Sequence, residues 1–153
     1  KEEGLIRNIG FTCHTETAAF DLMSRFEFDT VLFPINWAYW LEKNTGEKLI
    51  QKANEKNMGI IAIKGLADRN WLENEEKTYP KCWYKPIFDD DVLADLAFRF
   101  TLSKDIDVAI PPGDIRMLKI AYKIFKNNKK FELSAEELSV LKKYAEKNKN
   151  ILF

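Results

Sequence analysis

Apolar positions along the chain keep switching between two spacings. Residues 6–12 (Ile6-Arg7-Asn8-Ile9-Gly10-Phe11-Thr12) read as a strand that stops at Cys13-His14-Thr15. Thr15 is placed to cap a helix carrying Ala19, Leu22, Met23 and Phe26 at helical intervals. Residues 29–33 make a second apolar strand, closed by Pro34, and Asn36, Trp37, Tyr39 and Trp40 follow its end. A helix over about 46–56 turns Leu49, Ile50 and Ala53 inward and stops at Asn57-Met58-Gly59. Residues 59–64 (Gly59-Ile60-Ile61-Ala62-Ile63-Lys64) are apolar almost throughout, which predicts a strand covered on both faces.

A long connection over 67–90 follows, with Trp71, Tyr79, Trp83, Tyr84 and Phe88 spaced by Pro80 and Pro86. Connections of that length are lids or binding elements, or else caps whose aromatics fill a gap. Residues 91–103 predict a helix with Val92, Leu93, Leu96, Ala97 and Phe100 on one stripe. The stretch Val108-Ala109-Ile110-Pro111-Pro112-Gly113-Asp114 is a short strand that runs into a turn and a new helix. That helix spans 115–125, with Leu118, Ala121, Tyr122 and Phe125 on one face. Ser134-Ala135-Glu136-Glu137 is a capping box opening a last helix with Leu138, Leu141 and Ala145. The tail 148–153 frays unless Ile151, Leu152 and Phe153 dock.

Strand and helix thus alternate four times, with one extra helix. Right-handed crossovers make the strands parallel and gather their C-terminal ends on one side, where function collects in such folds. The 153 residues suffice for a single domain, 1–153. The 24 basic residues balance the 24 acidic ones, so overall charge gives no reason to expect a nucleic-acid or anionic-membrane partner. No run approaches the roughly 20 apolar residues of a membrane span, and no charged-then-apolar leader opens the chain. A cytoplasmic location is the expectation, with Cys13 and Cys82 as reduced thiols. Two cysteines and one histidine, widely spaced, do not suggest a metal site.

The strand ends offer Thr12, Cys13 and His14, then Asn36 and Trp37, then Lys64, then Gly113 and Asp114. His14 is either a general acid or base or an uncommitted polar residue; Cys13 is either a nucleophile or a packing residue. Lys64 binds an anion, forms a Schiff base or is simply solvated. A helix N-terminus after Gly113 can hold an anion, with Arg116 and Lys119 to grip a phosphate, although Asp114 competes for the same donors. No P-loop, GxGxxG turn or GxSxG elbow occurs. The lysines at 119, 123, 126, 129 and 130 read as a solvated face.

Residues 6–12, Phe28-Asp29-Thr30-Val31 with Asn36, the run from Gly59 to Ala67, and Ala109-Ile110-Pro111 resemble successive strands of aldo/keto reductases. Leu133-Ser134-Ala135-Glu136-Glu137-Leu138 resembles the start of that family's final helix. The resemblance implies an α/β fold, the C-terminal half (strands five to eight) of a TIM (β/α)8 barrel that reduces carbonyls with a nicotinamide cofactor, usually NADPH. The family's catalytic Asp, Tyr, Lys and His belong to the first half, so no catalytic residue is expected here, and Lys64 and His14 are not members of that tetrad. Thr12 falls at the family's carboxamide-binding Ser, Cys13 at the following Asn, Leu32 at a Gln, and Ile63 near the stacking aromatic. Pro112 and Gly113 replace the residues that grip the adenosine phosphate, leaving backbone N–H groups and Arg116. The implied cofactor contacts are Thr12, Cys13, Asn36, Lys64, Pro112, Gly113 and Arg116, and the implied cofactor is NADP. Four strands of such a barrel leave open edges and a bare inner face, so the expected partner is the missing N-terminal half or a second copy, as a homo-oligomer, besides a small carbonyl substrate. The rival expectation is a non-catalytic module binding a small molecule or partner through Trp71, Tyr79, Trp83 and Tyr84, with Trp37, Tyr39 and Trp40.

Overall fold

In a computed structural model, residues 1–147 are described. The strands are β1 (Gly10–Thr12), β2 (Thr30–Pro34), β3 (Gly59–Ile63), β4 (Ala67–Arg69), β5 (Lys85–Pro86) and β6 (Val108–Ile110). The helices are α1 (Glu16–Arg25), α2 (Trp37–Lys43), α3 (Glu47–Glu55), α4 (Asp91–Leu102), α5 (Ile115–Asn127) and α6 (Ala135–Lys147). The main sheet has the order β1-β2-β3-β6 and is parallel throughout, with Phe11 opposite Val31, Val31 opposite Ile60, and Ala62 opposite Ala109. All four C-terminal ends therefore lie on one rim, as the alternation of strands and helices predicts. The tail beyond residue 147 lies outside the described residues.

Local chemistry explains the element boundaries. Thr15 caps α1 by accepting from the Ala18 N–H. The expected capping box forms at α6, where Ser134 Oγ accepts from Glu137 N at 3.2 Å and Glu137 returns a bond to Ser134 N at 2.8 Å. Asn57 takes a left-handed φ of 53° and ends the α3 segment. Between β3 and α4, β4 and β5 pair antiparallel, so the long connection contains a small ribbon rather than a structureless loop.

The core has two parts on the helix-covered side of the sheet. One joins Val31, Phe33, Ile60 and Ala62 to Ala19, Met23, Leu49 and Ala53 of α1 and α3. The other joins Trp37 and Ala38 to α4, α5 and α6 through Leu96, Phe100, Met117, Ala121 and Leu141. The opposite face of the sheet is different. Leu32, Ile61 and Ile63 are only half-buried there, and Val108 and Ile110 are 47 % and 42 % exposed. β3 is thus covered on one face, not on both, because among the described residues no layer packs on the other side.

Two predicted helix faces also need correction. On α5, Met117, Ala121 and Ile124 are buried, whereas Leu118, Tyr122 and Phe125 are 49 %, 62 % and 57 % exposed. This helix carries apolar residues on more than one side, and packing against α4 selects the other stripe. On α4, Val92 faces solvent while Leu93, Ala94 and every residue over 96–101 are buried, so this helix is enclosed nearly all round.

Candidate functional site

Lys64 ends β3 with a left-handed φ of 68°. Its carbonyl accepts from Ala67 N and from Asn36 Nδ2, both at 3.0 Å, which closes a tight turn onto the ribbon. Gly65 lies in that turn against α4, where an added Cβ would come within 2.8 Å of Thr101 Oγ1. The turn therefore cannot accept a side chain there, and Lys64 is pinned from both directions.

Lys64 projects into a cavity of about 430 Å³ at the C-terminal rim of the sheet. Ile63 and Lys64 form its β3 side, Ile110 to Gly113 the β6 side, and Lys81 to Tyr84 of the long connection the lid, with His14 at the β1 side. The Lys64 ammonium lies 5.7 Å from the Tyr84 ring centroid. Burial lowers the Lys64 pKa to about 8. Burial, then the neighbouring Lys64 charge, hold His14 below the usual imidazole value. Burial raises the Tyr84 phenol well above its ordinary value. Trp83 is 91 % exposed at the mouth.

The long connection divides its aromatic residues between two jobs. Tyr79 is buried against Phe88, with the Arg116 guanidinium 4.0 Å from the Tyr79 centroid, and Trp71 Nε1 donates to Cys82 O at 3.0 Å. Glu75 joins Arg69 and Lys85 across the ribbon, at 2.7 and 3.0 Å. Those groups hold the lid in shape, whereas Trp83 and Tyr84 line the cavity.

The seven residues expected to contact a cofactor therefore separate. Lys64, Pro112 and Gly113 line the cavity. Thr12 is exposed at the end of β1, but outside the cavity lining. Cys13 is half-buried, and burial pushes its thiol pKa up, which favours packing over nucleophilic attack. Asn36 is 1 % exposed, and its amide is fully occupied. It caps α2 by accepting from Ala38 N and Tyr39 N, and it donates to Lys64 O and Ala67 O. It is an architectural residue with no group left for a cofactor. Trp37, expected among the binding aromatics, is fully buried and donates to Ala67 O at 3.1 Å.

Arg116 is corrected similarly. Asp114 caps α5 by accepting from Arg116 N, and both its carboxylate oxygens also take the Arg116 guanidinium, at 2.9 and 2.8 Å. A third guanidinium bond reaches Thr78 O. The cation expected to grip a phosphate is already paired, and a carboxylate sits at the helix N-terminus. Among the described residues, no group of three or more His, Cys, Asp or Glu is placed to hold a metal ion. No described helix is long and apolar enough to cross a membrane.

The cavity sits where strands of a larger parallel barrel would converge. The chain superposes over its full length on 55 % of the apo form of the aldo-keto reductase AKR11C1 from Bacillus halodurans, with a TM-score of 0.60 and 15 % identity. The fold is that of half an aldo/keto reductase barrel. The holo form of the same reductase gives a TM-score of 0.58 at 16 % identity, over 54 % of its length. This chain thus spans about half of the reductase it matches, and the half-barrel accounts for its bare concave face. No protein-family model matches the chain, and no curated protein matches it in sequence.

Proposed function

We propose that this chain is the C-terminal half of an aldo/keto reductase-like oxidoreductase that reduces small carbonyl compounds with a nicotinamide cofactor. The observation that carries the reading is a cavity at the common rim of four parallel strands in a reductase half-barrel. Hydride transfer would be supplied by the cofactor when bound. This chain would contribute the Thr12 hydroxyl to a carboxamide, and Ile63 and Ile110 as apolar walls that exclude water beside the ring. The fit is selective. At the head of α5, Asp114 holds the Arg116 guanidinium away from an adenosine phosphate. NADH and NADPH should therefore bind with similar affinity. The catalytic tetrad would come from the half of the barrel that this chain does not contain, joined to it in one polypeptide or supplied by a different chain.

Titrating NADH and NADPH against the tryptophan emission of the chain tests this. Quenching by both, within about threefold in Kd, supports the reading. The second reading, a non-catalytic binding module, is favoured by Trp83, whose 91 % exposure leaves a large stacking surface in water. No quenching by either nucleotide, alone or with the completing half present, would select that second reading.

A further inference from the structure

We propose that Lys64 captures a small aldehyde or ketone inside the rim cavity as an imine, a covalent role independent of any nicotinamide cofactor. Three features place the amine for this. It sits in a cavity of about 430 Å³, large enough for a small organic molecule. Its backbone is fixed in the left-handed region by Asn36 and Ala67 bonds to its carbonyl, a conformation that non-glycine residues rarely adopt and that marks a constrained position. Its surroundings are largely apolar and aromatic, which disfavours the ammonium and favours the neutral amine.

The chemistry balances without any oxidant or reductant. The Lys64 nitrogen lone pair forms a bond to the carbonyl carbon, and the C=O π pair moves onto oxygen. Water carries both nitrogen protons to that oxygen, the first giving the carbinolamine and the second making its hydroxyl a leaving water; the nitrogen lone pair forms the C=N bond as the C–O bond breaks. The net change is amine plus carbonyl to imine plus water. The titratable groups around the amine are His14 from the β1–α1 turn and Lys81, Cys82 and Tyr84 from the lid. His14 and Lys81 have no anionic form near neutrality, and burial raises the Cys82 and Tyr84 pKa values, so none of the four offers the amine a negative charge.

The test uses the whole chain, benzaldehyde as probe and sodium cyanoborohydride to trap the imine, with adducts mapped by peptide mass spectrometry. With a pKa of about 8, Lys64 at pH 8 carries roughly a hundredfold more neutral amine than an ordinary surface lysine. Labelling of Lys64 should exceed that of an exposed residue such as Lys119 by at least about tenfold, and should rise with pH to a plateau just above pH 8. Lys64→Arg preserves charge and backbone and should lose the dominant adduct while labelling at the other lysines is unchanged. Adducts spread over surface lysines according to exposure, or a dominant adduct that persists in Lys64→Arg, would overturn the proposal. If that variant fails to fold, the wild-type map and its pH profile decide alone. Because the readout needs no nucleotide, it stands or falls separately from reductase activity.

Discussion

Asn36 connects three segments with one amide. Its oxygen serves the first turn of α2, and its nitrogen serves the carbonyls of Lys64 and Ala67 on the far side of β3. Removing it leaves buried N–H and C=O groups without partners, each costing about 1–3 kcal/mol. Asn36→Ala should destabilise the chain by about 2–4 kcal/mol, read as a lower denaturant midpoint in urea. It should also loosen Lys64, whose turn depends on the same bonds. The sequence displays half of this role. Asn before an aromatic helical run is an N-cap pattern, and it announces α2. The other half was not visible, because Lys64 and Ala67 lie 28 and 31 residues away in the chain. Cys13 and Lys64 show the same limit: both sit at strand ends in the sequence, but only the fold separates a packed thiol from an amine facing a cavity.

At the level of elements, α5 shows how local and tertiary signals compete. Its start is fully legible, since Asp114 after Pro-Pro-Gly is a capping residue at a helix N-terminus. Its inward face is not, because Met117-Ala121-Ile124 and Leu118-Tyr122-Phe125 both recur at helical spacing. Only the position of α4 decides between them. The cap has a pH signature. The Arg116 guanidinium, then the Arg116 N–H, hold the Asp114 pKa down at about 2, against an ordinary value near 4. A carboxylate depressed in the folded state contributes stability that is complete above about pH 4 and lost as pH falls towards 2. Asp114→Asn keeps a capping side chain but cannot titrate. Its thermal midpoint should fall less steeply than wild type between about pH 4 and 2, with little difference in cap strength at neutral pH. A parallel acid limb in the two proteins would remove the ion pair from the account. The same variant frees Arg116 and should shift nucleotide preference towards NADPH.

For the whole molecule, the bare side of the sheet dominates. Leu32, Ile61, Ile63, Val108 and Ile110 form an apolar surface, β1 and β6 are unpaired edges, and Leu118, Tyr122 and Phe125 add an exposed stripe on α5. Covering these surfaces is what a completing half or a second copy would do. The thermal midpoint of the isolated chain should rise with protein concentration, and light scattering should report a species larger than 17.9 kDa. Tyr122→Glu with Phe125→Lys should shift that species towards monomer while costing the monomer about 1 kcal/mol, chiefly the stacking of Phe125 on Phe131. A cooperative monomer at every concentration would contradict this. The parallel sheet and the rim were legible from four apolar strands separated by capped helices, and the half-barrel from the resemblance to aldo/keto reductases. The ribbon β4–β5 was not, since Ala67–Arg69 and Lys85–Pro86 are too short to carry a strand pattern.

The two cores are joined by the β3–β6 ladder and by a few side chains. Trp40 packs against both, and Thr101 Oγ1 donates to Ile35 O at 3.0 Å across the boundary. The cavity straddles this seam, with Lys64 rooted in the strand core and Gly113 at the head of a helix rooted in the other. The β3–β6 pairing fixes the floor between them, and the lid closes over it. A molecule bound there would act as a clasp, tying the lid and the head of α5 to the end of β3.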